Sequence, residues 1–88
     1  MQKIDLTTLF LSVSSAAYMG MGFQADGSDP KTPNKEELGM AKQNIDLLEL
    51  LQEKTHGNRT DDESKLLEQL LFELRLRFVD QKKKVEGA

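Results

Sequence analysis

The chain of 88 residues contains no cysteine and only one histidine. Without cysteine it can form neither a disulfide framework nor a thiolate metal ligand, and it has no thiol nucleophile. The single histidine, His56, excludes a metal site built on a histidine pair and leaves one candidate general base. Because His56 falls at the predicted end of a helix, its expected role is to stabilise that helix end. We therefore expect no enzyme activity, no metal and no cofactor.

The sequence also lacks a long apolar run. A membrane-spanning helix needs roughly 20 predominantly apolar residues, and serine and threonine interrupt the most apolar stretch, residues 6–21. The formal net charge is −3, and charged residues of both signs make up 31% of the chain. A mildly acidic, mixed surface of this kind does not attract polyphosphate as a whole. These features predict a cytoplasmic protein with no membrane span.

Helical periodicity begins close to the amino terminus. Asp5 is a candidate N-cap, because its carboxylate can accept an early backbone N–H, and a helix is predicted over about residues 6–19. Turn-forming Gly, Asp, Ser and Pro then dominate about residues 22–33, which predicts a flexible loop. One face of the first helix collects most of its apolar residues, namely Leu6, Leu9, Phe10, Val13, Ala16 and Ala17.

Two capping boxes mark a helical hairpin in the rest of the chain. The boxes are Asn34 with Glu37 and Thr60 with Glu63. They predict helices over about residues 35–56 and 61–81, followed by a basic tail at 82–88. The fold class is therefore all-α, and residues 1–88 form a single small domain. In this three-helix domain, the antiparallel hairpin of helices two and three is crossed by the N-terminal helix.

Both arms of the hairpin carry apolar residues over a wide arc. On helix two these are Leu38, Ala41, Ile45 and Leu48, extended by Met40, Leu47 and Leu51. On helix three one arc holds Leu66, Leu67, Leu70, Leu71, Leu74 and Phe78, and a second group, Phe72, Leu76 and Val79, lies on another side. The first arc can bury against helix two. Three candidates could cover the second group: helix one of the same chain, the same helices of a second chain, or a different protein.

This surplus of apolar surface predicts association. The simplest arrangement is a symmetric homodimer in which two hairpins meet in a four-helix core, although periodicity leaves a tetramer equally open. The predicted interface residues are Phe72, Leu76, Val79, Leu47, Leu51, Arg75 and Arg77. The function that follows is a non-enzymatic module for protein interaction or oligomerisation.

The cations of helix three allow a second interpretation. Arg75 and Arg77 border its apolar arc, where each can pair with a carboxylate, face solvent or contact a phosphate. The acidic candidates for such pairs are Asp46, Glu49 and Glu53. Together with Lys82, Lys83 and Lys84, the two arginines could instead bind nucleic acid or an anionic surface weakly. A DNA-reading helix-turn-helix is disfavoured, because helix three begins with three acidic residues, 61–63.

The hairpin resembles a family of short bacterial proteins catalogued as domain of unknown function 1844. The resemblance rests on Ala41-Lys42-Gln43, Ile45-Asp46, Leu48-Glu49, Leu51-Gln52-Glu53-Lys54-Thr55, Gly57-Asn58, Thr60, Glu63, Leu66-Leu67, Leu70-Leu71 and Glu73-Leu74-Arg75-x-Arg77-Phe78-Val79. The first helix, with Phe10, Leu11, Ser14, Ser15 and Ala16, is also similar to the opening of that family. What the resemblance implies is a fold and no mechanism, since the family has no assigned activity.

Overall fold

A computed structural model of the chain describes residues 5–24 and 26–87. Within these ranges the chain forms three helices and no strand, which confirms the all-α class. The first helix, α1, spans Leu6–Gly20, α2 spans Lys35–Lys54, and α3 spans Asp61–Glu86. None of these helices is long and apolar enough to cross a membrane.

Each helix starts at the predicted cap. The carboxylate of Asp5 accepts a hydrogen bond at 2.8 Å from the backbone amide three residues further on. The side chain of Asn34 accepts from the Glu37 amide at 2.7 Å, and the Glu37 side chain accepts in return from the Asn34 amide at 3.2 Å. Thr60 and Glu63 exchange the same two bonds at 3.1 and 2.7 Å. Both boxes satisfy amides that a helix start otherwise leaves unpaired.

The helices end at positions that differ from the predicted ones. The second helix, α2, ends at Lys54 rather than at residue 56, and the chain turns at Gly57, whose φ is +84°. The third helix continues to Glu86, so Lys82–Lys84 are helical and do not form a tail. The longer α3 has a packing reason: half-buried Val85 extends the core-facing arc of this helix by two turns beyond Phe78. Ala88 lies outside the described residues.

One hydrophobic core joins the three helices, because α1 packs against both arms of the hairpin. The buried apolar side chains are Phe10, Val13, Ala17, Met21, Leu38, Ala41, Ile45, Leu48, Leu67, Leu71 and Leu74. The predicted core faces of α2 and α3 are thus correct. On α1, Ala16 was predicted to share the apolar face but is exposed. One turn further on, α1 approaches α2 closely at Gly20, where an added Cβ would lie only 3.1 Å from the Cβ of Ala41.

The segment predicted as a flexible loop is tied to the helices at several points. The Lys31 amide donates to the carbonyl of Gly22 at 2.9 Å, which closes the described part of the loop onto itself. Pro33 is buried, and the side chain of Gln81 on α3 reaches two main-chain carbonyls at the ends of this segment. Ala25 lies outside the described residues. The loop composition correctly predicted a turn-rich segment, but these contacts fix it against α3.

Candidate functional site

The outer face of α3 carries three exposed apolar side chains, which we call the α3 stripe: Phe72, Leu76 and Val79. Their exposed fractions are 71%, 52% and 48%. The spacing of four and then three residues places them on one side of the helix. Adjacent large apolar side chains exposed in this way form the kind of patch that marks an interaction surface.

The geometry of α3 explains why its own chain leaves the α3 stripe uncovered. Successive residues on a helix are rotated by about 100°, so Phe72 points outward while Leu71 and Leu74, both buried, face the core. The first helix packs against the core-facing side of α3. Of the three candidates left open by the sequence, helix one of the same chain therefore does not cover these side chains.

An ion pair between the two hairpin arms borders one edge of the α3 stripe. The Nη2 atom of Arg75 lies 3.2 Å from Oε1 of Glu49, one of the three acidic partners expected from the sequence. Both side chains remain about half exposed, so the pair contributes little to stability by itself. Its effect is to hold the Arg75 guanidinium toward α2, beside Val79.

The opposite edge of α3 faces α1. Here Arg77 lies 4.0 Å from the carboxylate of Glu73, and its guanidinium carbon is 6.0 Å from the centre of the Phe23 ring. The Phe23 ring in turn packs edge-to-face on Tyr18, with ring centres 5.5 Å apart. Burial, followed by the nearby negative charge of Glu73, raises the pKa of the Tyr18 phenol. These contacts turn Arg77 toward α1, so it does not join the α3 stripe.

The predicted interface residues of α2 lie elsewhere. Leu47 is 41% exposed. Glu49 faces α3, and Leu47, two positions earlier, is rotated by about 200° from Glu49 and so faces away from α3. Leu51 is half-buried and packs against the core of its own chain. The structure thus brings together Phe72, Leu76, Val79 and Arg75, and it separates Leu47, Leu51 and Arg77 from them.

The five cations named for an anionic ligand do not share one face of α3. Arg75 and Lys82, seven positions apart, lie along one edge, and Arg77 and Lys84 lie along the other. Lys83 points outward between the two edges. Three of the five have carboxylates within 4.0 Å, since Lys82 also approaches Glu86 at 3.9 Å. This distribution gives the described part of the chain no continuous basic patch along α3.

Two side chains, Gln81 and Arg59, make several hydrogen bonds that the sequence analysis did not predict. Gln81 is 2% exposed, and its side-chain amide donates to the carbonyls of Met21 at 2.7 Å and Lys31 at 3.3 Å. In the hairpin turn, Arg59 donates to the carbonyl of Gln52 at 2.6 Å and to two hydroxyl groups at 2.9 and 3.0 Å. Gln81 had a detectable signal, because it lies seven residues after Leu74 and so on the core face of α3.

No cluster of three metal-ligating side chains occurs in residues 5–24 and 26–87. In the same ranges His56 is exposed, in the turn after α2. The three acidic residues 61–63 form the first turn of α3, where carboxylates complement the helix dipole. The distinctive side chains of the described residues therefore form either exposed apolar surface or structural hydrogen bonds. The exposed apolar surface, the α3 stripe, is the candidate site.

Comparisons with known proteins identify a family for this chain but no activity. No curated protein and no solved structure matches the chain. A sequence model of one family, described as Domain of unknown function (DUF1844), matches residues 3–80. Because the match covers most of the 88 residues, the chain belongs to the DUF1844 family.

Proposed function

We propose that this protein is a non-enzymatic interaction module whose α3 stripe packs against a helix of a binding partner. The observation that carries the proposal is the 71% exposure of Phe72 near the centre of a helix whose other side packs into the core through Leu67 and Leu74. Covering an aromatic side chain of this exposure removes apolar surface worth about 1–2 kcal/mol. Leu76 and Val79 add to that gain on the same face.

The shape of the α3 stripe favours a helical partner. Its side chains repeat at four and three positions along a straight element, which is the pattern that ridges of a second helix can interleave with. Arg75, held at the edge by Glu49, places a charge beside the apolar centre, as at the polar rim of many interfaces. The lack of cysteine supports action in the cytoplasm.

The proposal is tested by affinity purification of the tagged chain from its native cell, followed by quantitative mass spectrometry. Leu76→Glu places a charge in the centre of the stripe, and we expect it to abolish recovery of the specific partners. Ser12→Glu is the matched control, because it adds the same charge at an exposed position on α1. The proposal is wrong if both variants recover the same partners as the parent.

A second measurement addresses the anionic-surface alternative. Retention on immobilised heparin that falls steeply with salt, and disappears when Lys82–Lys84 are replaced by glutamine, would favour that alternative. We expect weak retention that these substitutions barely change, since the cations of α3 point in three directions. In the affinity purification, Leu76→Glu and Ser12→Glu should both keep the circular dichroism spectrum of the parent, because both positions are exposed.

A further inference from the structure

The outer face of α3 has a charge pattern that reverses about its centre. Four exposed charged residues extend the α3 stripe on the same face, within about 40° of Phe72: Lys65, Glu68, Lys83 and Glu86. In order along the helix, this face carries Lys65, Glu68, Phe72, Leu76, Val79, Lys83 and Glu86. From these positions we infer that the partner of the α3 stripe is a second copy of this chain, packed antiparallel through α3. This inference rests on the proposed function and names its partner.

The positions match the symmetry of such a pair. Phe72 and Val79 are equally distant from the midpoint between Arg75 and Leu76, at about 5 Å along the helix axis. Glu68 and Lys83 are likewise equidistant from that midpoint, at about 11 Å. Lys65 and Glu86 follow at about 16 Å. A two-fold axis through the midpoint therefore places each member of a pair opposite the other member in the second copy.

The charges then become complementary across the interface. Each Glu68 meets a Lys83 and each Lys65 meets a Glu86, which gives four opposite-charge pairs around an apolar centre. A parallel arrangement would instead place each of these residues against its own counterpart, and like charges would face one another. The charge pattern thus selects the antiparallel orientation.

The remaining cation near the axis is already compensated. Two copies of Arg75 would approach each other there, but each guanidinium lies 3.2 Å from the Glu49 carboxylate of its own chain. Lys65, Glu68 and Lys83 form no ion pair within 4.0 Å in the described part of the chain, and Glu86 has a single approach, from Lys82 at 3.9 Å. These side chains are therefore available for pairs with a second copy.

The test is sedimentation velocity on the full chain over a range from about 1 μM to 1 mM, because a patch of only three exposed apolar residues per copy suits an affinity in this range. We expect a reversible monomer–dimer equilibrium. Leu76→Glu should raise the dissociation constant at least about tenfold, since it buries charges at the axis. The parent remaining a monomer throughout overturns the inference.

Charge reversal tests the register. Glu68→Lys and Lys83→Glu should each raise the dissociation constant about tenfold, because each replaces two attractive pairs with two repulsive ones. The double variant restores opposite charges in the antiparallel register and should return to within about threefold of the parent. Equal weakening of the double and single variants overturns the antiparallel register.

Self-association and recruitment of a different protein can be distinguished by experiment. If the parent is a monomer but Leu76→Glu still abolishes recruitment of a different protein, the second copy is excluded and the interaction module stands. If Leu76→Glu changes neither self-association nor recruitment, both proposals are wrong.

Discussion

The side-chain amide of Gln81 donates a hydrogen bond at 2.7 Å to the main-chain carbonyl of Met21, 60 positions earlier in the chain. The same nitrogen also approaches the Lys31 carbonyl at 3.3 Å. One buried side chain thus connects the end of α1, the end of the following loop and the last turns of α3. Buried carbonyls without a partner are costly, so this contact explains how a turn-rich segment is held against the helices.

Gln81→Ala should lower the free energy of unfolding by about 2 kcal/mol, because it leaves the Met21 carbonyl buried without a donor and opens a cavity. Gln69→Ala is the control: it makes the same substitution on the exposed surface of α3 and should change stability by less than about 0.5 kcal/mol. Urea denaturation measures both. Hydrogen exchange at the Lys31 amide should also accelerate in Gln81→Ala. Equal stability losses in the two variants would contradict this role.

Replacing Gly22 and Gly39 by alanine should change the free energy of unfolding in opposite directions. Gly22 has a φ of +93°, and a Cβ there would overlap the carbonyl of Lys31, so Gly22→Ala should cost about 3 kcal/mol or more. Gly39 lies in α2 with nothing near its missing side chain, and Gly39→Ala should stabilise the protein by about 0.5–1 kcal/mol. Thermal unfolding of the two variants gives the sign directly. A tolerated Gly22→Ala would mean that the loop can move away from α1.

Local signals in the sequence predicted where the helices start. The partners of the arginines on α3 could not be predicted, because they depend on contacts between residues far apart in the chain. Asn34 and Thr60 could be identified as caps, because each bonds within its own first turn. The Arg75 partner could be narrowed only to three carboxylates, since the choice of Glu49 depends on the register of α2 against α3. The contact of Arg77 with Phe23 could not be predicted for a similar reason, because it joins segments that no helical periodicity relates.

The turn between α2 and α3 depends on one guanidinium. Arg59 donates to the Gln52 carbonyl at the end of α2 and to the hydroxyls of Thr55 and Ser64. Arg59→Ala should therefore lower the free energy of unfolding by about 1.5–3 kcal/mol. Arg75→Ala removes only an exposed ion pair and should cost less than about 1 kcal/mol. Urea denaturation in dilute solution compares the two, and similar losses would show that the turn does not require Arg59.

Tyr18 is the single tyrosine of the chain and can be titrated without interference from tryptophan. Burial and then the charge of Glu73 raise the pKa of Tyr18 above its ordinary value of 10.0. Absorbance at alkaline pH should therefore give a higher midpoint for the folded protein than for the protein in urea. Glu73→Gln should lower the folded midpoint only in part, because burial is the larger cause.

The same shift makes stability depend on pH in a defined direction. A phenol whose pKa is higher in the folded state favours folding while it is neutral, so its contribution is complete below pH 10.0 and is lost as the pH rises through the folded value. Tyr18→Phe keeps the ring packed on Phe23 and removes the titrating group. The stability of the parent relative to Tyr18→Phe should therefore fall as the pH rises above 10.0, a range in which the lysines titrate equally in both proteins. A constant difference across that range would show that Tyr18 titrates as it does in the unfolded chain, and the contact of α1 with Glu73 on α3 would then be absent in solution.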